Sequence, residues 1–230
     1  MSDKKVKIKV KKKRINFKRL IITLFILSII FIVISYLINI PLKNIYITGN
    51  SILSDKEIIS FADIETYPPI TKINKGNIEK KLKSNDYIKE AKVKKNILGK
   101  IYIDIEEEHP LYIIDNELVL SSGKKVENIY SINYVPIMKN EVNELHDKLI
   151  KSFNKINKDA LLKISEIEYK PNELDKERFL FTMTDANYVY INLTKIEKIN
   201  KYNSIMTELN GKKGIIYLDS GDYIEIKDWQ

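Results

Sequence analysis

The sequence contains no cysteine. Disulfide staples, thiolate catalysis and cysteine-ligated metals are therefore excluded, and any core must be an ordinary apolar one. Glycine is scarce, with seven scattered among 230 residues. Neither a G-x-G-x-x-G turn nor a P-loop can be assembled, so there is no phosphate cradle of either kind. Histidine occurs only at His109 and His146, and neither H-E-x-x-H nor G-x-S-x-G is present. A Ser-His-Asp site remains possible in principle, but nothing sets either histidine beside a nucleophile. An excess of positive charge is also missing from most of the chain. Residues 1–19 hold eight Lys, two Arg and Asp3, a net +9, which leaves −1 of the overall +8 for the rest. The basic pI describes a tail, so nucleic-acid binding is not expected.

What the sequence does have is one long apolar run. Leu20 to Ile40 carries no charge, Gly or Pro, and sixteen of its 21 residues are Leu, Ile, Val or Phe. As a helix it would measure about 31 Å, matching a bilayer core of roughly 30 Å. Its aliphatic content favours insertion by about 5–10 kcal/mol. The adjoining Lys/Arg cluster orients the N-terminus to the cytoplasm by the positive-inside rule and suits anionic headgroups. The run exceeds a signal-peptide core, and Asn39-Ile40-Pro41-Leu42-Lys43 offers no small-x-small cleavage site, so an uncleaved anchor is expected.

After Pro41, residues 42–110 read as β-α-α-β-β. Ile45-Tyr46-Ile47-Thr48 is a strand broken by Gly49-Asn50. Ser54 and Glu57 form a capping box for a helix with Ile58, Ile59, Phe61 and Ala62 on one face, stopped by Tyr67-Pro68-Pro69. Asn77 is expected to cap a second helix carrying Ile78 and Leu82. A strand starts at Ala91-Lys92-Val93-Lys94. Leu98-Gly99 is a turn, and Lys100 to Glu106 alternates with Ile101, Ile103 and Ile105 on one face until Pro110.

Residues 111–227 read as mostly strands. Leu111 to Ile114 and Glu117 to Leu120 flank the hairpin pair Asp115-Asn116, and Ser122-Gly123 turns next. Glu141 to Lys163 is expected to be helical, with Leu145, Leu149 and Phe153 at four-residue spacing. Ile164 to Tyr169, Phe179 to Thr184 and Tyr188 to Leu193 are strands, the last two joined at Asp185-Ala186-Asn187. Thr194 and Glu197 suggest a second capping box, opening a helix to about Leu209 that Asn210-Gly211 closes. Ile215 to Leu218 and Tyr223 to Ile226 finish the chain around Ser220-Gly221.

The most tempting chemical cluster is Glu106-Glu107-Glu108-His109. Strand alternation sends Glu106 and Glu108 one way and Glu107 and His109 the other, so at most two could serve one ion. An acidic strand end in solvent is the simpler expectation. His146 is expected at the surface of its helix. No metal, cofactor or catalytic residue is assigned.

The order of parts resembles the bacterial cell-division family FtsQ/DivIB. Ile45-Tyr46-Ile47-Thr48-Gly49-Asn50 resembles its opening V-x-G-N strand. Pro69 to Asn74 sits at its N-x-F-x-[LI]-[DN] segment, and Tyr87 to Val93 resembles its V-x-x-A-x-V run. Ile101 to Ile105 with Glu107 to Pro110 resembles its last POTRA strand, Val135-Pro136-Ile137 its L-P-x-[IL], and Ile216 to Gly221 its closing strand and turn. Prolines common in the family are replaced by Asn85-Asp86 and Asn96-Ile97, and Lys139-Asn140 replaces a glycine.

The resemblance implies an α+β protein: a cytoplasmic tail (1–19), a transmembrane helix (20–40), a POTRA domain (42–110), a β domain with flanking helices (111–227) and a short tail (228–230). It implies a non-enzymatic scaffold at the division septum. Such a scaffold binds DivIC/FtsB-like and FtsL-like bitopic proteins, with the septal transpeptidase as a further partner, and helps to regulate septal peptidoglycan synthesis. The binding surface is expected at the end of the β domain, on Tyr217, Leu218, Asp219, Ser220, Gly221, Tyr223, Ile224, Glu225 and Ile226. A terminal edge strand suits that role, because its unpaired backbone groups can accept a partner strand. An envelope adaptor in sporulation or secretion, or a membrane-anchored wall enzyme, are the alternatives.

Overall fold

The computed structural model describes residues 16–140 and 142–227. Most of the basic tail (1–15), Glu141 and residues 228–230 lie outside the described residues. The apolar run forms α1 (Phe17–Ile38), starting before Leu20 and ending before Ile40. Asn16 caps it by accepting from the Arg19 N–H, and the Asn39 amide donates back to the Ser35 carbonyl. None of α1 is buried in the protein, and its mean hydropathy is 3.0, so it is long and apolar enough to cross a membrane.

The next unit is β1 (Asn44–Thr48), α2 (Asp55–Phe61), α3 (Lys75–Lys83), β2 (Ile88–Lys95) and β3 (Lys100–Glu107). The sheet order is β1-β3-β2, with β1 parallel and β2 antiparallel to β3. Strand alternation buries Ile101, Ile103 and Ile105, and the helices add Ile58, Ile78 and Leu82 to the same core. Ser54 and Glu57 form the expected capping box. Phe61, however, is exposed and off the buried face, and α2 ends well before Tyr67-Pro68-Pro69. The cap of α3 is Asn74, which accepts from the Asn77 N–H, so the expected capping residue is in fact the donor. Strand β2 begins at Ile88, before Ala91. Gly49 turns out of β1 at φ 87, and a Cβ there would lie 1.9 Å from the Ile105 carbonyl oxygen, so only glycine fits.

The rest of the chain builds one nine-stranded sheet. Strands β4 (Pro110–Ile114), β5 (Glu117–Leu120) and β6 (Lys125–Glu127) make a meander, with β4 and β5 joined at Asp115-Asn116, both at positive φ. Pro110 therefore opens a strand; β3 has already ended at Glu107. Strand β7 (Ile137–Met138) lies between β4 and β8 (Ile164–Tyr169), parallel to both. Strands β9 (Arg178–Met183), β10 (Tyr188–Asn192), β11 (Gly214–Tyr217) and β12 (Tyr223–Ile226) complete the order β12-β11-β10-β9-β8-β7-β4-β5-β6.

Helical segments contribute to the core from outside the sheet. The helix expected over Glu141 to Lys163 is broken into a 3-10 turn (Asn143–Leu145), α4 (His146–Phe153) and α5 (Lys158–Leu161). The break lies where Asn157 caps α5 and its N–H donates to Asn200. Leu149 and Phe153 are buried as their spacing suggests, and Phe153 meets Tyr112 and Phe181 edge-on. The helix expected from Thr194 is instead a 3-10 segment (Leu193–Lys201) capped by Asn192, leading into α6 (Tyr202–Leu209). Leu193, Ile196, Ile199 and Tyr202 are buried at three-residue spacing, the period of a 3-10 helix. Asn210 ends α6 in the left-handed region.

Candidate docking edge

The candidate surface begins with the alternation of β9 to β12. Phe179, Phe181, Val189, Ile191 and Ile216 point into the core. The residues between them emerge on the opposite face, where the pairing sets Tyr190 beside Tyr217 and Tyr217 beside Tyr223. These three rings stack, with centroids 5.4 Å apart for the first pair and 4.5 Å for the second. The Arg178 guanidinium lies 3.7 Å from the Tyr190 ring centroid and extends the stack by a cation–π contact. The ladder ends at Tyr223 on β12, the outermost strand, where the ring is half exposed.

The hairpin carrying β12 is tied down. Arg178 Nε donates to Asp219 at 2.6 Å, and both side chains are largely buried, at 17 % and 6 % exposed. Burial pushes Asp219 upward, but hydrogen bonds from Arg178 and Ser220 outweigh it and hold its carboxyl below the usual range. Lys195 donates to the Asp219 carbonyl, and Lys198 reaches both carboxylate oxygens of Asp222 at 2.6 Å. On β12 the Tyr217 hydroxyl donates to Glu225 at 3.2 Å, and Lys227 pairs with Glu225. The edge is therefore held in shape by contacts within the chain itself.

The register also fixes which backbone groups face outward. The Lys227 N–H donates to the Lys213 carbonyl, making that a hydrogen-bonded pair. By alternation, Glu225 opposite Ile215 and Tyr223 opposite Tyr217 are hydrogen-bonded pairs too. The N–H and C=O groups of Ile224 and Ile226 therefore point to the free edge. Of the nine expected residues, Tyr217 and Tyr223 form the ladder, while Ser220, Gly221, Glu225 and Ile226 are exposed. Ile224 is half buried, Leu218 is buried and Asp219 is committed to Arg178, so these three shape the edge from behind. Arg178 and Tyr190 were not among the expected residues. Their roles come from pairings across the sheet, which leave no local signal.

The acidic cluster differs from expectation. Glu107 accepts from the N–H groups of Ser51, Ile52 and Leu53 and from the Ser51 hydroxyl, all at 2.8 Å. Glu108 is nearly buried and accepts from the Ser121 hydroxyl, while Glu106 pairs with Lys89. Glu107 and Glu108 thus fasten structure, while Glu106 and His109 are exposed as expected of a solvated strand end. His146 is half buried near Gly123 and so is not simply a surface residue. Among the described residues, no group of three or more His, Cys, Asp or Glu could hold a metal ion.

Comparison with known proteins agrees with this architecture. Residues 40–108 match the family described as POTRA domain, FtsQ-type. The cell division protein DivIB of Bacillus subtilis (strain 168) is 30% identical over 231 residues, covering 95% of this chain and 88% of the relative. DivIB of Listeria monocytogenes is 29% identical over 226 residues, covering 94% and 83%. A solved structure of the major extracytoplasmic domain of DivIB from Geobacillus stearothermophilus overlaps 46% of this chain and 96% of that one, at 16% identity and a TM-score of 0.38. The first of these relatives is matched at 30% identity over most of its length, and the POTRA match falls on the unit that follows α1. The chain is a member of the DivIB family of cell division proteins.

Proposed function

We propose that this cell division protein acts as a non-enzymatic scaffold, holding small bitopic division proteins outside the membrane through the β12 edge. The single observation that carries the reading is the outermost strand itself. It offers the outward backbone groups of Ile224 and Ile226 beside an exposed Tyr223 that ends a stacked ladder. A partner strand gains main-chain hydrogen bonds there, and the tyrosines supply large, rigid contact area. DivIC/FtsB-like and FtsL-like proteins are the proposed occupants, and septal transpeptidase recruitment and regulation of septal peptidoglycan synthesis the proposed consequence.

The apolar α1 fits a membrane protein. The proposed orientation has the basic tail in the cytoplasm and both the POTRA domain (42–110) and the β domain (111–227) outside, concentrated at the septum. A fluorescent fusion tests the division role in cells: a band at mid-cell is expected, and uniform membrane fluorescence throughout division would overturn it. Incubating the purified chain with peptidoglycan tests the scaffold reading, since release of soluble fragments would make the protein an enzyme.

A further inference from the structure

The hairpin between β2 and β3 reads Lys94-Lys95-Asn96-Ile97-Leu98-Gly99-Lys100, an apolar pair bracketed by lysines. Ile97 is 78 % exposed and Leu98 65 %, although both lie in a unit with an ample core. Among the described residues outside α1, Leu174 alone of the large apolar side chains is more exposed than Ile97. Hairpin tips ordinarily carry polar turn residues, so two adjacent exposed aliphatics call for an apolar surrounding.

The tip is fastened to the exit of α1. The N–H groups of Lys43 and Asn44 donate to the Gly99 carbonyl at 2.7 and 3.3 Å. Gly99 sits at φ 85, and a Cβ there would lie 2.5 Å from the Pro41 carbonyl oxygen, so the two backbones touch. On the other side of the exit, the Thr71 hydroxyl donates to the Ile38 carbonyl at 2.6 Å, and the Ile70 N–H donates to Ile40 at 2.9 Å. Lys95 joins the two sides by donating to the carbonyls of Ile70 and Ile73. The exit is thus a short bonded joint and not a free linker.

That joint fixes a depth. Leu98 lines one hollow with Tyr36, Leu37, Asn39, Ile40, Pro41 and Lys43. Tyr36 and Leu37 belong to the last turn of α1. A 22-residue helix is about 33 Å long, slightly more than the hydrocarbon core, so its last turn sits at the boundary with the headgroups. Leu98, against that turn, lies at the same boundary. The exposed Lys43 and Lys94 are placed to reach phosphates while their stems cover apolar surface.

We infer that the β2–β3 hairpin tip, through Ile97 and Leu98, is a second membrane contact that seats the POTRA unit on the outer-leaflet lipid interface. The occupant is the bilayer that α1 crosses, so the inference rests on α1 being a membrane span. The contact makes the POTRA unit a foot of set orientation, from which the β12 edge is presented.

The absence of cysteine makes the test clean. Single cysteines at Ile97, Leu98, Phe31 and Leu174, each carrying a nitroxide, are compared in the full chain reconstituted alone into nanodiscs of phosphatidylethanolamine and phosphatidylglycerol. Collision with oxygen against a water-soluble nickel chelate reports depth. The expected result is that positions 97 and 98 are shielded from the chelate several-fold relative to position 174, approaching position 31. If position 31 is shielded while 97 and 98 match 174, the hairpin contact is wrong and the span stands. If position 31 is itself open to the chelate, the span reading fails and the inference falls with it.

Discussion

The Tyr130 hydroxyl donates to Glu57 at 2.9 Å, and Glu57 is the same carboxylate that closes the capping box on Ser54. A residue of the loop after β6 thereby completes the helix start of the POTRA unit. Tyr130 also meets the Tyr87 ring edge-on, and the Tyr87 hydroxyl donates to the Glu127 carbonyl. The two sheets are thus keyed together at one seam, next to Glu107 and its three backbone donors.

Removing that hydroxyl with Tyr130→Phe is expected to lower stability by about 1.5–3 kcal/mol, the usual worth of a bond to a charged group, read from thermal unfolding of the full chain. Burial, and then the bond to Glu57, push the Tyr130 phenol up to about 12. A value raised above the ordinary tyrosine value of about 10 means its stabilisation is complete below pH ~10 and is lost as pH rises towards 12. The difference between wild type and Tyr130→Phe should therefore shrink over that range. A constant difference would detach the hydroxyl from the seam.

Glu107→Gln keeps the shape but replaces one acceptor oxygen by an amide that faces backbone N–H donors. A loss of about 2–3 kcal/mol is expected, because charge-assisted bonds to three N–H groups are weakened together. Amide exchange at Ser51, Ile52 and Leu53 should quicken more than at β3. Unchanged exchange there would contradict the cradle.

Asp219→Asn leaves the largely buried Arg178 without its countercharge. A buried pair broken on one side costs about 3 kcal/mol or more. Because the folded carboxyl is held below its ordinary value, the pair's contribution is complete above pH ~4 and is lost as pH falls through the folded value. The wild type should therefore lose its advantage over Asp219→Asn in acid, as followed by urea unfolding at a series of pH values.

Tyr223→Ala truncates a half-exposed ring, so it should cost little stability while weakening partner capture several-fold. Equal losses in both would assign the ring to folding and not to docking.

Much of this fold was legible because its signals are local. The Ser54–Glu57 box, the Asp115-Asn116 turn and the Ile101, Ile103, Ile105 alternation each act within a few residues. The break at Asn157 was not legible, because the N–H of that residue is answered by Asn200, far along the chain. The 3-10 segment was missed because Leu193, Ile196, Ile199 and Tyr202 fit a three-residue period that also fits part of an α-helix. The terminal strand at Tyr223 to Ile226 was legible from its alternation. Its geometry was not: the ladder runs through Tyr190 to Arg178, and Asp219 faces Arg178, across strand pairings that only the folded register reveals.

The proposed docking has the outward backbone of β12 receive a partner strand. The register makes Tyr223→Pro a poor probe, since the N–H of Tyr223 faces β11. Ile226→Pro removes an outward donor at a half-exposed position at the end of the edge strand, where proline is tolerated. The deciding measurement is affinity capture of full-length wild type and Ile226→Pro from membranes, with the recovered single-span proteins quantified. Wild type is expected to recover small bitopic division proteins, and Ile226→Pro to lose most of that recovery while unfolding at the same temperature. Equal recovery by both chains would rule out the β12 backbone as the docking edge.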